Sequence, residues 1–238
     1  MTRGKFIVFE GADGAGTTTQ SRLLKKALDV LDIPSLRTFE PSSWAVGVLL
    51  REILSGKHGP LGEVWGWREM SYLFMADRIQ HVKLDILPAL NEGTNVICDR
   101  YYASTLVYQS TGAGFHSEQH DRMSQLLSEM RRSPGFLEPD LWLYLRALDV
   151  VTLEERRSSR GAREIYEDRK TQGQVVDLYE AWSARKSFSG GGPVRRVDCT
   201  KPIREVFTDC LRCALMTIAA DRLDEVEDVV QKVLESDL

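Results

Sequence analysis

Phe6-Ile7-Val8-Phe9-Glu10-Gly11-Ala12-Asp13-Gly14-Ala15-Gly16-Thr17-Thr18 is the stretch that decides the fold. An apolar run at Phe6–Phe9 reads as a buried strand. The glycine-rich segment behind it follows G-x-x-x-x-G-K-[ST] at every fixed position except Thr17, where lysine is expected. Glycines at 11, 14 and 16 open backbone conformations that let successive N–H groups converge on a phosphate. A helix from about Thr18 to Leu31 adds its positive N-terminal end. Thr18 supplies the hydroxyl that such a loop offers to Mg²⁺. The backbone cradle survives the loss of lysine, while the point charge that reaches the β- and γ-phosphates does not.

Outward from this loop, short apolar runs alternate with amphipathic segments. Strands are expected at Ser35–Phe39, Asn95–Cys98, Leu141–Leu145 and Val194–Val197. Helices are expected at Ala45–Leu54, Trp67–Ile79, Val82–Leu90 and Glu118–Arg131. Uniformly apolar strands separated by helices predict an α/β fold, a doubly wound sandwich with a five-stranded parallel sheet flanked by helices. Ligands then bind beyond the carboxyl ends of the strands. Loops are read at Ser133-Pro134-Gly135 and from Ser187 to Pro193. From Asp221 an acidic helix carries Leu223, Val226, Val229, Val230, Val233 and Leu234 on one side, to pack on the body or on a partner.

The chain has 238 residues, 42% hydrophobic and 28% charged, with a formal net charge of −4. That length suits one domain over 1–238. The charge gives no general attraction to a nucleic acid polymer or an anionic membrane, so phosphate binding must be local. No apolar run approaches the roughly 18 to 20 residues that cross a bilayer. A strand almost at the first residue leaves no room for a cleavable signal. Cys98, Cys199, Cys210 and Cys213 suggest no disulfide framework, and a cytoplasmic, reducing location is expected. Cys210-x-x-Cys213 lacks a second ligand pair for zinc. His116 and His120 lack a third ligand and read as surface residues.

Phe9 to Gly16 with Thr18-Thr19-Gln20 resembles the opening of the thymidylate kinase family, P-loop nucleoside monophosphate kinases. The resemblance continues in order through Glu40-Pro41, Leu73 to Arg78 with His81, Asp99-Arg100-Tyr101 with Ser104 and Tyr108-Gln109, Pro139-Asp140-Leu141 with Tyr144-Leu145, and Asp198 to Pro202. Phe74 and Arg78, four apart, share one helix face and can meet one ligand. By resemblance, Phe74 stacks on thymine and Arg78 reaches the base or its phosphate. Gln109 and Thr105 lie near the base edge, Tyr108 lies where a 2′-hydroxyl would be crowded out, and Asp13 lies near the acceptor sugar and phosphate. Glu40 and Ser104 belong to the same substrate set.

Arg100 offers a guanidinium fork to a monophosphate, and Asp99 with Thr18 supports Mg²⁺ or its waters. The resemblance implies an ATP-binding set of Gly11, Ala12, Asp13, Gly14, Ala15, Gly16, Thr17, Thr18 and Thr19, with Lys201 in a stretch that resembles the loop against which adenine rests. Thr200 in that loop is also placed to cap the next helix. Arg156, Arg157, Arg160 and Arg163 fall at about 153–170, where the resemblance implies a lid and counts Arg156 and Arg160 among the catalytic residues; such a run is also what a solvated helix face looks like. A C-terminal helical tail spans about 203–238.

The resemblance implies dTMP + ATP giving dTDP + ADP, with Mg²⁺, in a homodimer. Thr17, Phe39 before Glu40-Pro41, Arg146 after the fourth strand and the order Arg163-Glu164 depart from the family pattern. Arg37 or a lid arginine is a candidate for the missing charge. Two other readings stay open: a weak or inactive nucleotide-binding protein, and a kinase for another deoxynucleoside monophosphate.

Overall fold

The computed structural model describes residues 2–111, 116–147, 151, 153, 169–184 and 192–236. Strands β1 (Phe6–Gly11), β2 (Ser35–Phe39), β3 (Asn95–Asp99), β4 (Leu141–Arg146) and β5 (Val194–Asp198) form one sheet in the order β2-β3-β1-β4-β5. Every pairing is parallel. β1 is buried at every residue, as a central strand covered on both faces must be.

Helices α1 (Thr17–Val30), α2 (Ala45–Leu54), α3 (Trp67–His81), α4 (Leu87–Asn91), α5 (Tyr102–Tyr108), α6 (His116–Arg131), α7 (Arg169–Ala184), α8 (Ile203–Ile218) and α9 (Val226–Glu235) flank it. α1 buries Leu23, Leu24, Ala27 and Leu28, one side of a 3.6-residue repeat. The register sets Phe9 of β1 and Phe39 of β2 both opposite Asp99, and Gly11 opposite Leu145. The carboxyl ends of the strands therefore finish level, and the loops beyond them meet over one edge.

Three expectations need correction. The helices expected at Trp67–Ile79 and Val82–Leu90 run together through a π-helical turn at Val82–Ile86. Pro88, with no N–H to give, follows that turn at the start of α4, and the wider turn keeps the chain helical across it. The tail from Asp221 starts in a 3-10 helix (Ala220–Glu225), and the α-helix begins only at Val226. α9 buries Val226, Val229, Val230 and Val233, closing on the body against α1 and α8.

α7 was not anticipated, although Val175, Leu178, Tyr179 and Trp182 carry a helical apolar repeat and are all buried. Trp182 meets Trp142 edge-on at 5.2 Å, and Tyr179 stacks on Tyr144 at 5.5 Å. Those ring contacts fasten α7 to β4. The turn at Ser133-Pro134-Gly135 is present, with Gly135 at φ 78°. The glycine run at 190–192 falls largely outside the described residues.

Candidate active site

β1 ends at Gly11, and Gly14 and Gly16 take φ values of 90° and 95°, which only glycine adopts freely. α1 starts at the next residue, so the first-turn N–H groups of Thr17, Thr18 and Thr19 have no partner within the helix. A Cβ on Gly11 would stand 2.9 Å from the Leu145 carbonyl and 3.0 Å from the Ala15 Cβ, so the loop leaves β1 only through a residue without a side chain. The loop opens onto a cavity of about 590 Å³.

Asp13, Gly14, Gly16, Thr17 and Thr18 line one side of that cavity. Glu40, Phe74, Arg78, Asp99, Arg100, Ser104, Thr105, Tyr108 and Gln109 line the rest with Arg37, Phe39, Pro41, Arg51, Leu54 and Tyr101. Gly11, Ala12, Ala15 and Thr19 do not line it. Lys201 lies past β5 at the sheet edge, outside the cavity lining and paired with Asp209 at 3.2 Å. Arg156, Arg157, Arg160 and Arg163 lie outside the described residues.

Arg100 is held from several directions. Its guanidinium meets Asp13 Oδ1 at 2.6 Å and donates to the Gly11 carbonyl at 2.9 Å, with Ser104 Oγ at 3.3 Å. The Tyr108 ring centroid lies 5.6 Å away. Burial disfavours its charge, but Tyr108, Asp13 and Tyr179 outweigh that and raise its pKa well above the ordinary value. It stays a cation at any working pH. Its backbone takes φ 69°, the left-handed region a non-glycine residue enters only when its surroundings hold it there. Its N–H donates to the Phe9 carbonyl at 2.9 Å, pinning the end of β3 to β1.

Arg78 is oriented by Glu40, whose Oε2 accepts from Nη2 at 2.6 Å and from Nε at 2.9 Å. Nη2 also donates to Thr105 Oγ1 at 2.9 Å, and the guanidinium sits 5.0 Å from the Tyr101 ring centroid. His81 Nδ1 faces the other Glu40 oxygen at 3.3 Å. Glu40 is therefore the buried counter-ion that aims Arg78, and it stands one residue past β2 beside Phe39. Asp77 holds the next residues of that turn, accepting from the Ser42 N–H at 2.8 Å and its Oγ at 2.5 Å. Burial raises the Asp77 carboxyl above its ordinary value against these hydrogen bonds.

Behind the cavity, Glu10 is fully buried. Its carboxylate accepts from the Tyr101 N–H at 2.8 Å, Ser104 Oγ at 2.7 Å and Tyr179 OH at 2.8 Å. Burial raises its pKa, opposed first by Ser104 and then by Arg100 and Tyr179. The sequence reading named Glu10 in a motif without giving it a role; an acidic residue ending an apolar strand is the signal that marks it. Arg51 was also missed. From α2 it donates to the Pro41 carbonyl at 2.6 Å and the Ser42 carbonyl at 2.7 Å, and it lies 5.9 Å from the Phe39 ring centroid. A single arginine within an amphipathic helix carries no signal of its own.

Arg146 and Thr17, two departures from the family pattern, have a local setting, while Arg163-Glu164 lies outside the described residues. Arg146 ends β4 and donates to Glu180 of α7 at 2.7 Å, on the oxygen that also accepts from Tyr144 OH at 3.1 Å. Thr17 is almost fully buried. Thr200 is not a helix cap: Asp198 Oδ1 accepts from the Thr200 N–H at 2.9 Å and its hydroxyl at 2.6 Å, forming an Asx turn, and Pro202 is the residue before α8. None of the four cysteines is in a disulfide, and among the described residues no cluster of three or more His, Cys, Asp or Glu is arranged to hold a metal.

A loop shaped for a donor's phosphates, facing fixed arginines across one cavity, describes a class: the P-loop phosphotransferases that act on nucleotides. The family described as Thymidylate kinase matches residues 9–210. A thymidylate kinase of Pelotomaculum thermopropionicum is 38% identical over 216 residues, covering 89% of this chain and 93% of that protein. One of Leptospira interrogans is 30% identical over 213 residues, covering 90% and 95%. A probable thymidylate kinase of Methanocaldococcus jannaschii is 38% identical over 179 residues, covering 75% and 81%. The chain belongs to the thymidylate kinase family and is a phosphotransferase. No described helix is long and apolar enough to cross a membrane.

Proposed function

We propose that this protein transfers the γ-phosphoryl group of ATP to the 5′-phosphate of dTMP, giving dTDP and ADP. The observation that carries the reading is that Arg78, Arg100, Phe74 and Gln109 line the same cavity as Gly14 and Thr18 of the phosphate loop. Donor and acceptor sites that share one cavity let the acceptor oxygen approach the γ-phosphorus without water between them.

In this reading the loop from Gly11 to Thr19 cradles the donor phosphates, and Lys201 lies along the adenine side. Phe74 stacks on the thymine while Thr105 and Gln109 meet its edge, and a site with polar groups set for that edge rejects bases that leave them unpaired. Arg100 and Arg78 neutralise and orient the acceptor monophosphate. Asp13, Ser104 and Tyr108 hold Arg100 while the sugar passes Tyr108. An acceptor oxygen forms a bond to the γ-phosphorus as the bond to the ADP oxygen breaks, and no proton changes hands overall. Arg156 and Arg160 of the 153–170 segment supply further positive charge to the donor.

The residues present fit Mg²⁺. Thr18 lines the cavity, and Asp99 Oδ1 is buried without a hydrogen-bond partner, an oxygen available to a cation or its water. When bound, the ion neutralises the donor's phosphates. Cysteines without disulfides fit a cytoplasmic setting. Exposed Trp44, Val48, Tyr72 and Leu84, on or beside the adjoining α2 and α3, support pairing with a second copy.

Specificity is tested by offering purified protein Mg·ATP with dTMP, dUMP, dCMP, dGMP, AMP and UMP in turn and measuring ADP. The expected order puts dTMP first in kcat/KM. A different monophosphate preferred over dTMP refutes the thymine assignment.

A further inference from the structure

Thr17 leaves the phosphate loop without its lysine, yet the cavity is not short of positive charge beside that loop. Four arginines line it. Arg100 is locked to Asp13 and the Gly11 carbonyl, Arg78 to Glu40 and Thr105, and Arg51 to the carbonyls of Pro41 and Ser42. Arg37 is tied differently. It projects from β2, and its Nε donates to Ser21 Oγ at 2.9 Å. Ser21 lies four residues after Thr17 on α1, so the two share a helix face.

The Arg37 Nη2 stands 3.5 Å from Asp99 Oδ2, at the end of β3. That contact is looser than the 2.6 Å pairs of Arg78 and Arg100. The guanidinium is thus anchored at one end on the helix that carries the phosphate loop. At the other end it faces, by a loose contact, the Asp99 carboxylate that lines the same cavity. Its side chain keeps 24% of its exposure, enough to meet a ligand in the cavity.

We propose that Arg37 supplies, from β2 two strands away across β3, the positive charge for the donor's phosphates that Thr17 does not supply from the loop. The proposal rests on the nucleotide-kinase reading above and names a residue within it. Arginine suits the task because its planar fork can face a carboxylate on one side and a phosphate oxygen on the other, without losing its charge on burial. A small, nearly buried threonine at position 17 leaves room for a side chain arriving from β2.

The test moves the charge. Arg37→Ala, and Arg37→Gln, which keeps an amide for Ser21, are compared with the natural protein, with Thr17→Lys, and with R37A/T17K and R37Q/T17K. Folding of each is checked by thermal unfolding. The neutral variants are expected to lose on the order of 10²- to 10³-fold in kcat, with dTMP KM changed less than fivefold. Thr17→Lys in the neutral background recovers at least tenfold.

A side chain that only braced Ser21 and Asp99 would not be replaced by a lysine at position 17. Kcat within threefold of the natural value in R37Q, or a folded R37Q/T17K no faster than R37Q, overturns the proposal. If the natural protein turns over no monophosphate, the kinase reading fails by itself. Arg37 is then judged by calorimetry with Mg·ATP: at least tenfold weaker binding in R37Q, restored in R37Q/T17K, upholds it. Equal affinities, or a loss that R37Q/T17K does not restore, overturn it.

Discussion

Arg100 concentrates the chemistry of the site in one side chain: a strained backbone, a 2.6 Å ion pair with Asp13 and a bond to the phosphate-loop carbonyl of Gly11. An ammonium cannot copy that arrangement, because it lacks the planar fork that meets Asp13, Gly11 and a phosphate together. Arg100→Lys is therefore expected to lower kcat/KM for dTMP on the order of 10²-fold or more, while KM for ATP moves little; steady-state kinetics with each substrate varied in turn reads this. At this scale the sequence was informative wherever a residue type had few other uses. Asp13, Asp99, Arg100, Phe74 and Arg78 were legible and line one cavity. Glu10 and Arg51 carry no role in the sequence, because a carboxylate that accepts four hydrogens from three residues far along the chain, and an arginine that gathers the carbonyls of a turn nine and ten residues before it, are defined only by the folded contacts.

Among the elements, α2 sets the turn that carries Glu40. Gly47 lies on that helix where a Cβ would stand 2.1 Å from the Ser42 carbonyl oxygen and 2.6 Å from its nitrogen. Gly to Ala inside a helix normally stabilises by about 0.5–1 kcal/mol. Here the contact is with backbone, which cannot step aside cheaply, so Gly47→Ala is expected to destabilise by about 1–3 kcal/mol. Denaturant melts measure the loss. The displaced Pro41–Ser42 turn also loosens Glu40 and raises KM for dTMP. Strand positions were readable to within a residue or two, since each is a short apolar run bounded by turn residues. α7 is less legible because its apolar repeat of Val175, Leu178, Tyr179 and Trp182 follows directly on a strongly charged segment. The break expected between Ile79 and Val82 is absent, because a π turn at Val82–Ile86, whose i→i+5 geometry no 3.6-residue pattern marks, carries the helix through.

The whole molecule is a parallel sheet whose strand ends deliver a phosphate loop, an acidic residue and several arginines to one edge. Holding them there buries charge, and that has a pH signature. Burial lifts the Glu10 carboxyl above its ordinary 4.5, so the folded chain keeps a proton there after the unfolded chain has lost it. Its contribution to stability is full below about 4.5 and is lost as pH rises through the raised folded value, because in that window the native state binds more protons. Glu10→Gln has no such proton, so the difference in urea midpoint between the natural protein and E10Q should shift in favour of E10Q as pH climbs from 4 to 8. A difference that stays flat, or shifts the other way, contradicts the assignment of that burial cost. The fold class was legible from periodicity and one motif. The burial of Glu10, which sets this pH behaviour, was not, because it arises only when segments far apart in sequence close over that carboxyl. The central claim is that this family member is a working kinase despite Thr17. Its most direct test is to incubate the natural protein with Mg·ATP and dTMP and to quantify both products chromatographically. The account predicts dTDP and ADP formed in equal amounts, and ADP without dTDP, or neither product from a folded protein, would contradict it.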